Sequence, residues 1–211
     1  MTQYYTQIIN LLAALMLLLS FAMLAQRRVL TLINLFMLQG LVLCVSTAIV
    51  ALTTGQAHLY ESAAITFVLK VLLLPWILHR LIRRLNVKWD VETLINIPTT
   101  MLIGIVLVVF SFNMALPIAE LAGTVSRATL GIAMAVVMLA FLMMITRSKA
   151  VPQVIGFLAM ENGLFFAATS ATYGMPMVVE LGIALDVLIG MVIPSATYGM
   201  PMVVELGIAL D

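Results

Sequence analysis

Hydrophobic residues are grouped into seven long runs, which short polar segments separate. The runs cover residues 5–25, 30–53, 62–82, 95–115, 127–146, 150–171 and 176–193. An α-helix needs about 20 mostly apolar residues, within a range of about 17–25, to cross the hydrocarbon core of a bilayer. Each run has that length. The pattern therefore predicts an all-α, polytopic integral membrane protein with about seven transmembrane helices.

The positions of the basic residues indicate which way the helices run. Eight of the ten Lys and Arg residues follow the first, third or fifth run, and these alternate loops lie on one side of the membrane. They are Arg27, Arg28, Arg80, Arg83, Arg84, Lys88, Arg147 and Lys149. Because cytoplasmic loops carry the excess of positive charge, we expect this side to be the cytoplasm and the N-terminus to lie outside.

The composition excludes several classes of protein. Hydrophobic residues make up 64% of the chain and charged residues 9%, against about 45–50% and 25% in soluble domains, so a water-soluble enzyme is excluded. A net charge of +1 argues against a nucleic-acid partner, because phosphate binding needs clustered cations. Cys44 is the one cysteine, and His58 and His79 fall at opposite membrane surfaces. We therefore expect no redox centre and no cofactor in this chain.

Few ionisable residues fall inside the predicted spans, and four of them are the main candidates for chemistry. Glu161 and Asp186 lie near the middle of the sixth and seventh runs, Lys70 near the middle of the third, and Glu180 close to the outer end of the seventh. An isolated charge at the bilayer centre costs about 2.5–3.5 kcal/mol or more. These side chains must therefore be paired, protonated or hydrated.

Two interpretations of these residues stay open. In the first, Lys70 forms a fixed ion pair with Glu161 or Asp186 that orients the helices. In the second, the carboxylates pass protons along a hydrated path that Lys70 modulates, with Glu180 marking an exit toward the outside. His79 and Glu61 are weaker candidates, since both lie at span ends where solvation or an interfacial position accounts for them.

Proline and glycine positions predict local features of the helices. Pro75 lies inside the third run, where it removes the hydrogen bond to the Val71 carbonyl and predicts a kink. Gly156 and Gly163 are seven residues apart in the sixth run, a spacing that permits close helix packing.

The end of the chain contains an unchanged copy of an earlier segment. Residues Ser170–Asp186 recur as Ser195–Asp211 without one substitution. Ancient repeats drift and form whole structural units, whereas the apolar part of this copy is too short to cross a bilayer. The copy is either an artefact or a recent duplication, and we assign it no function.

Two strings in the second half of the chain resemble a known family. Ile155–Phe166 (IGFLAMENGLFF) and Val178–Gly190 (VVELGIALDVLIG) resemble component E of the hydrogenase-4 type membrane arm, and Ser62–Pro75 (SAAITFVLKVLLLP) is similar to the same subunit's lysine-bearing helix. That subunit belongs to formate hydrogenlyase-like group 4 nickel–iron hydrogenases. The last three spans are more distantly similar to the K-type subunit of respiratory complex I and the C-type subunit of cation/proton antiporters.

The resemblance implies a division of the chain and a function. Residues 1–115 would form an N-terminal four-helix segment, 116–194 a three-helix segment similar to the complex I K-type subunit, and 195–211 the duplicate. The family implies a multi-pass, non-catalytic subunit of the prokaryotic plasma (inner) membrane. It would pack beside large antiporter-like subunits, and nickel–iron and iron–sulfur centres would lie in a peripheral hydrogenase arm. Coupled proton or cation translocation is the implied role; an antiporter subunit and a purely structural scaffold are the alternatives.

Overall fold

The fold is all-helical throughout the part of the chain that the computed structural model describes, which is residues 2–55, 57–85, 93–122 and 127–172. Its elements are α1 (Thr2–Ala25), α2 (Val29–Thr54), α3 (Ala57–Thr66), a π-helix (Phe67–Leu73), α4 (Leu74–Leu85), α5 (Ile97–Ala122), α6 (Arg127–Thr146) and α7 (Ala150–Thr172). An isolated antiparallel bridge pairs Thr93 with Arg147. The predicted all-α class is confirmed.

Six of the seven predicted spans are helices that are long and apolar enough to cross a bilayer. They cover Gln7–Ala25, Val29–Thr53, Ala63–Arg80, Ile97–Pro117, Ala128–Thr146 and Ala150–Thr169. The chain is therefore a multi-pass membrane protein. The seventh run, 176–193, and the duplicate, 195–211, lie outside the described residues, and the division of the chain at 115/116 stays a prediction.

Apolar side chains cover the exterior of the helices as well as the interior, unlike in a water-soluble protein. Leu18 on α1, Leu52 on α2, Leu102 on α5 and Ile145 on α6 are each more than 60% exposed. Buried polar side chains instead include Gln39, which is fully inaccessible. Lipid solvates the apolar exterior, while polar groups find partners between the helices.

The third span changes helix type around Lys70. α3 passes into the π-helix Phe67–Leu73, where the Leu74 N–H donates to the Leu69 carbonyl, five residues back. Pro75 follows directly and has no N–H to donate to Val71. The disruption predicted at Pro75 therefore takes the form of a π-helical turn, which shifts the hydrogen-bond register.

The sixth span packs closely against the fifth through its glycines. A Cβ atom added at Gly163 would lie 2.9 Å from Val137 Cγ2 on α6, and one added at Gly156 would lie 2.8 Å from Met144 Cγ. Neither position has room for a larger residue unless α6 moves. The predicted close packing at both glycines is confirmed.

Candidate functional site

A buried ion pair lies halfway through the bundle. Lys70 Nζ is 3.1 Å from Glu161 Oε1, and the two side chains are 1% and 8% exposed. Lys70 lies on the π-helix of the third span and Glu161 on α7, each near the middle of its span. Of the partners left open by the sequence, the structure therefore brings Glu161 to Lys70.

Two polar atoms of this ion pair lack hydrogen-bond partners among the described residues. The 3.1 Å separation of Nζ and Oε1 gives a Coulomb attraction that is strong at low dielectric constant. Lys70 Nζ and Glu161 Oε2 nevertheless have no hydrogen-bond partner among the described residues. The ring of Phe165, one turn after Glu161, lies 5.6 Å from Lys70 Nζ and provides a cation–π contact. The two charges thus compensate each other, but two of the polar atoms that carry them make no hydrogen bond to the described residues.

Helix α2 lies close to the backbone of Lys70. A Cβ built at Gly40 on α2 would be 3.4 Å from Lys70 Cβ and 3.6 Å from its carbonyl oxygen, which are ordinary van der Waals distances. Lys70 is therefore buried where the π-helix meets α2, and its ammonium group lies beside Glu161 on α7.

A line of neutral polar side chains lies beside the ion pair. Asn162 Nδ2 donates to Gln39 Oε1 at 3.2 Å, Gln39 Nε2 donates to Ser20 Oγ at 2.9 Å, and Ser20 Oγ donates to the Met16 carbonyl at 2.9 Å. Ser20, Gln39 and Asn162 are all buried. We call these three side chains the amide line. It joins α1, α2 and α7, and it starts at the residue next to Glu161.

A second buried cation lies at the basic end of the bundle. Arg147 directly follows α6 and is 1% exposed. Its Nη2 donates to the Leu24 carbonyl at 2.6 Å, with the Met23 carbonyl at 3.5 Å, so it caps the C-terminus of α1. Its Nε and Nη1 have no hydrogen-bond partner in the described ranges. Burial lowers the pKa of the Arg147 guanidinium, because desolvation penalises the charged form.

The other predicted candidates are separate from the ion pair. His79 is half-buried nine residues after Lys70, and its Nδ1 lies 2.9 Å from the Pro75 carbonyl oxygen. Glu61 belongs to α3, but its side chain lies outside what the structure describes. Glu180 and Asp186 also lie outside the described residues, so their roles stay predictions.

His79 borders a groove of about 540 Å³ at the basic end of the third span. Its wall includes Met37 of α2 together with Pro75, Trp76 and Arg80. The Arg80 guanidinium lies 5.2 Å from the Trp76 ring centre, which is the contact expected of an interfacial aromatic residue and a snorkelling cation.

The amide line and the burial of Arg147 were not predicted from the sequence. A neutral amide does not stand out in an analysis of charged residues. Gln39 is, however, the one strongly polar residue between Phe36 and Ser46, and its position inside an apolar run could have indicated a buried polar contact. From the sequence, Arg147 is an ordinary basic residue in a loop. Its burial follows only from the position of the C-terminus of α1 beside it, which the sequence does not give. Among the described residues, no three His, Cys, Asp or Glu side chains come together as metal ligands.

Comparison with known proteins gives two kinds of relative. An uncharacterised protein of Mycobacterium tuberculosis is 35% identical over 126 residues, which cover 59% of this chain and 57% of that protein. Hydrogenase-4 component E of Escherichia coli K12 is 24% identical over 188 residues, which cover 89% of this chain and 87% of the relative, and the Shigella flexneri protein of that name gives the same values. The chain thus spans little more than half the length of the mycobacterial relative. No protein-family model and no solved structure match the chain.

Proposed function

We propose that this chain is an integral membrane subunit of a group 4 nickel–iron hydrogenase complex and that it contributes buried ionisable groups to proton or cation translocation. The observation that carries the translocation role is the contact between Lys70 and Glu161 inside the bundle. Similarity to hydrogenase-4 component E along most of the chain supports the assignment to such a complex.

Physical chemistry favours a working role for the pair. A lysine and a glutamate in the middle of a span are expensive to keep, and an apolar pair of similar volume would hold the helices at least as well. Because Glu161 can take up and release a proton, the pair can exist as an ion pair or as a protonated acid beside a cation. A change between those states is what a translocation path requires.

The proposed topology has seven spans with the N-terminus outside, in the plasma membrane of a prokaryote. The basic residues on alternate loops support this orientation. Large antiporter-like subunits would pack against the exposed apolar faces of the helices, and a peripheral arm would hold the nickel–iron and iron–sulfur centres.

Replacing the acid without changing its shape tests the proposal. Glu161→Gln and Asp186→Asn should leave assembly of the purified complex intact but strongly reduce proton uptake into reconstituted vesicles, followed with a pH-sensitive dye. Glu120→Gln makes the same change near the end of α5 and should keep normal uptake. Unchanged proton uptake in both test variants would refute the translocation role.

A structural scaffold is the second candidate, and the short Lys70–Glu161 distance favours it. A scaffold needs a stable contact and no proton exchange. The double variant Lys70→Met/Glu161→Met separates the two functions: a scaffold would keep assembly and ion movement, whereas a translocation path would keep assembly and lose ion movement.

The antiporter alternative differs from the hydrogenase proposal in the subunits with which this chain would assemble. Nickel and iron–sulfur subunits that co-purify with this chain would support the hydrogenase complex. A purified assembly that exchanges cations for protons and carries no redox subunit would establish the antiporter instead.

A further inference from the structure

The amide line runs from the middle of the bundle toward its basic end. We propose that Ser20, Gln39 and Asn162 line the route through which Glu161 exchanges protons with the basic side of the membrane. This inference rests on the proposed translocation function, since it states from which side of the membrane protons reach the buried Glu161.

The depths of the three residues follow a gradient. At 1.5 Å per residue, Asn162 lies about 18 Å from the start of α7, Gln39 about 15 Å from the start of α2, and Ser20 about 8 Å from the end of α1. These three helix ends all lie on the basic side, beside Arg27, Arg28 and Arg147. The line therefore covers the inner half of the span, from Glu161 toward that surface.

Unpaired polar atoms are concentrated at the deep end of the line. Lys70 Nζ, Glu161 Oε2 and Asn162 Oδ1 are buried and have no hydrogen-bond partner among the described residues. Amide groups do not release protons near neutral pH, so water has to carry them. A buried water needs two to four polar partners, and these atoms together with the amide line offer them. In each transfer a hydronium ion gives one proton to Glu161 and is left as water.

Few titratable groups lie on the described helices packed around Glu161, so a change in its protonation can be measured without interference from them. Lys70 is the charged group that faces it. On the packed helices, α6 has no ionisable residue between Ala128 and Thr146, and α2 contributes Cys44, whose Sγ donates to the Ala63 carbonyl. Within the part of the chain that the structure describes, no second carboxylate faces Glu161 from these helices, so a change in its protonation reports access of protons.

Carbodiimide labelling measures this access directly. Dicyclohexylcarbodiimide reacts with protonated carboxyl groups, and mass spectrometry of the peptide that contains Glu161 gives the labelling rate. The complete complex is reconstituted into sealed vesicles, and trypsin cleavage at the exposed Arg27 and Arg28 identifies vesicles whose basic side faces the medium. The pH is then varied on one side at a time.

Labelling should follow the pH on the basic side. Because only the protonated carboxyl group reacts, raising that pH should lower the labelling rate, by at most about tenfold per pH unit, and the same change on the opposite side should have little effect. Gln39→Leu should remove the dependence, whereas Gln39→Asn, which keeps a neutral amide in the line, should restore it. Ser20→Ala provides a milder interruption if Gln39→Leu does not assemble.

Thr47→Val is the matched control. Thr47 is a buried polar residue on the same helix as Gln39, but its hydroxyl donates to its own helix, at the Leu43 carbonyl, so its loss should leave labelling unchanged. Labelling that follows the opposite side, or that keeps its dependence in Gln39→Leu and Ser20→Ala, would overturn the proposal. Labelling does not require pumping, so this result is independent of proton uptake in Glu161→Gln.

Discussion

Lys70 and Arg147 are both almost completely buried, but different groups stabilise their charges. Lys70 lies in mid-span, and its counter-charge is the carboxylate of Glu161. Arg147 lies at a helix end and binds the free carbonyls of Met23 and Leu24. Free carbonyls occur at helix C-termini, where the helix dipole also favours a cation.

The two cations differ in whether their partners can be protonated. Glu161 can be protonated, so the interaction of Lys70 can be switched. The carbonyl partners of Arg147 are neutral at every pH, and the guanidinium keeps its charge under ordinary conditions. The paired cation therefore fits the proposed transport role, whereas the capping cation holds the end of α1 beside the end of α6.

The largest effect is expected when the midplane cation loses its charge. Lys70→Leu leaves Glu161 buried without a counter-charge, which should destabilise the bundle by about 3–5 kcal/mol. The midpoint of unfolding by sodium dodecyl sulfate in mixed micelles measures the loss. Lys70→Leu/Glu161→Leu should recover most of it, and Arg27→Leu, at an exposed cation, should change little. A double variant as unstable as the single one would show that charge pairing is not the main interaction of Lys70.

A smaller effect is expected at the capping cation. Arg147→Leu removes charge-assisted hydrogen bonds to the end of α1, at a cost of about 1.5–3 kcal/mol, although the two unpaired guanidinium nitrogens disappear with it. Arg147→Lys should keep part of the cap. The same micelle titration measures both variants. If Arg147→Lys were as unstable as Arg147→Leu, a cation at the α1 terminus would not explain the burial of Arg147.

The helix contact beside Glu161 should be sensitive to one methyl group. The Cβ of Gly163→Ala would meet Val136, Val137 and the Val137 backbone nitrogen at 2.9–3.2 Å. Overpacking should exceed the gain in helix propensity, for a net loss of about 1–2 kcal/mol. Thermal aggregation of the detergent-solubilised protein provides the measurement. A stabilised variant would mean that α7 can move away from α6 at little cost.

The smallest effect is expected on the opposite side of the pair. Gly40→Ala would make ordinary van der Waals contacts with Lys70, at 3.4 Å or more, while alanine favours the helix by up to about 1 kcal/mol. Stability should be unchanged or slightly raised in the same assay, so Gly40→Ala is the control for Gly163→Ala. A large loss would show that Lys70 tolerates no displacement of its backbone.

The sequence predicts the helices better than their contacts. Six spans and two buried ionisable residues follow from hydropathy and from the cost of charge in lipid. Whether Lys70 meets Glu161 or Asp186 does not follow, because residue spacing fixes neighbours within a helix and not between helices. Pro75 signals a disrupted helix, but the sequence does not show that the disruption takes the form of a π-helix over the preceding residues.

The order of synthesis gives the ion pair a further consequence. Lys70 leaves the ribosome about ninety residues before Glu161, a delay on the order of 5–20 s at about 5–20 residues per second. During that interval the third helix has to enter the membrane with its ammonium group uncompensated, helped by the leucines and valines around it. The arrival of the sixth helix neutralises that charge. A nascent chain that stops before the sixth helix therefore exposes an uncompensated lysine to lipid, a feature by which membrane quality control can recognise it.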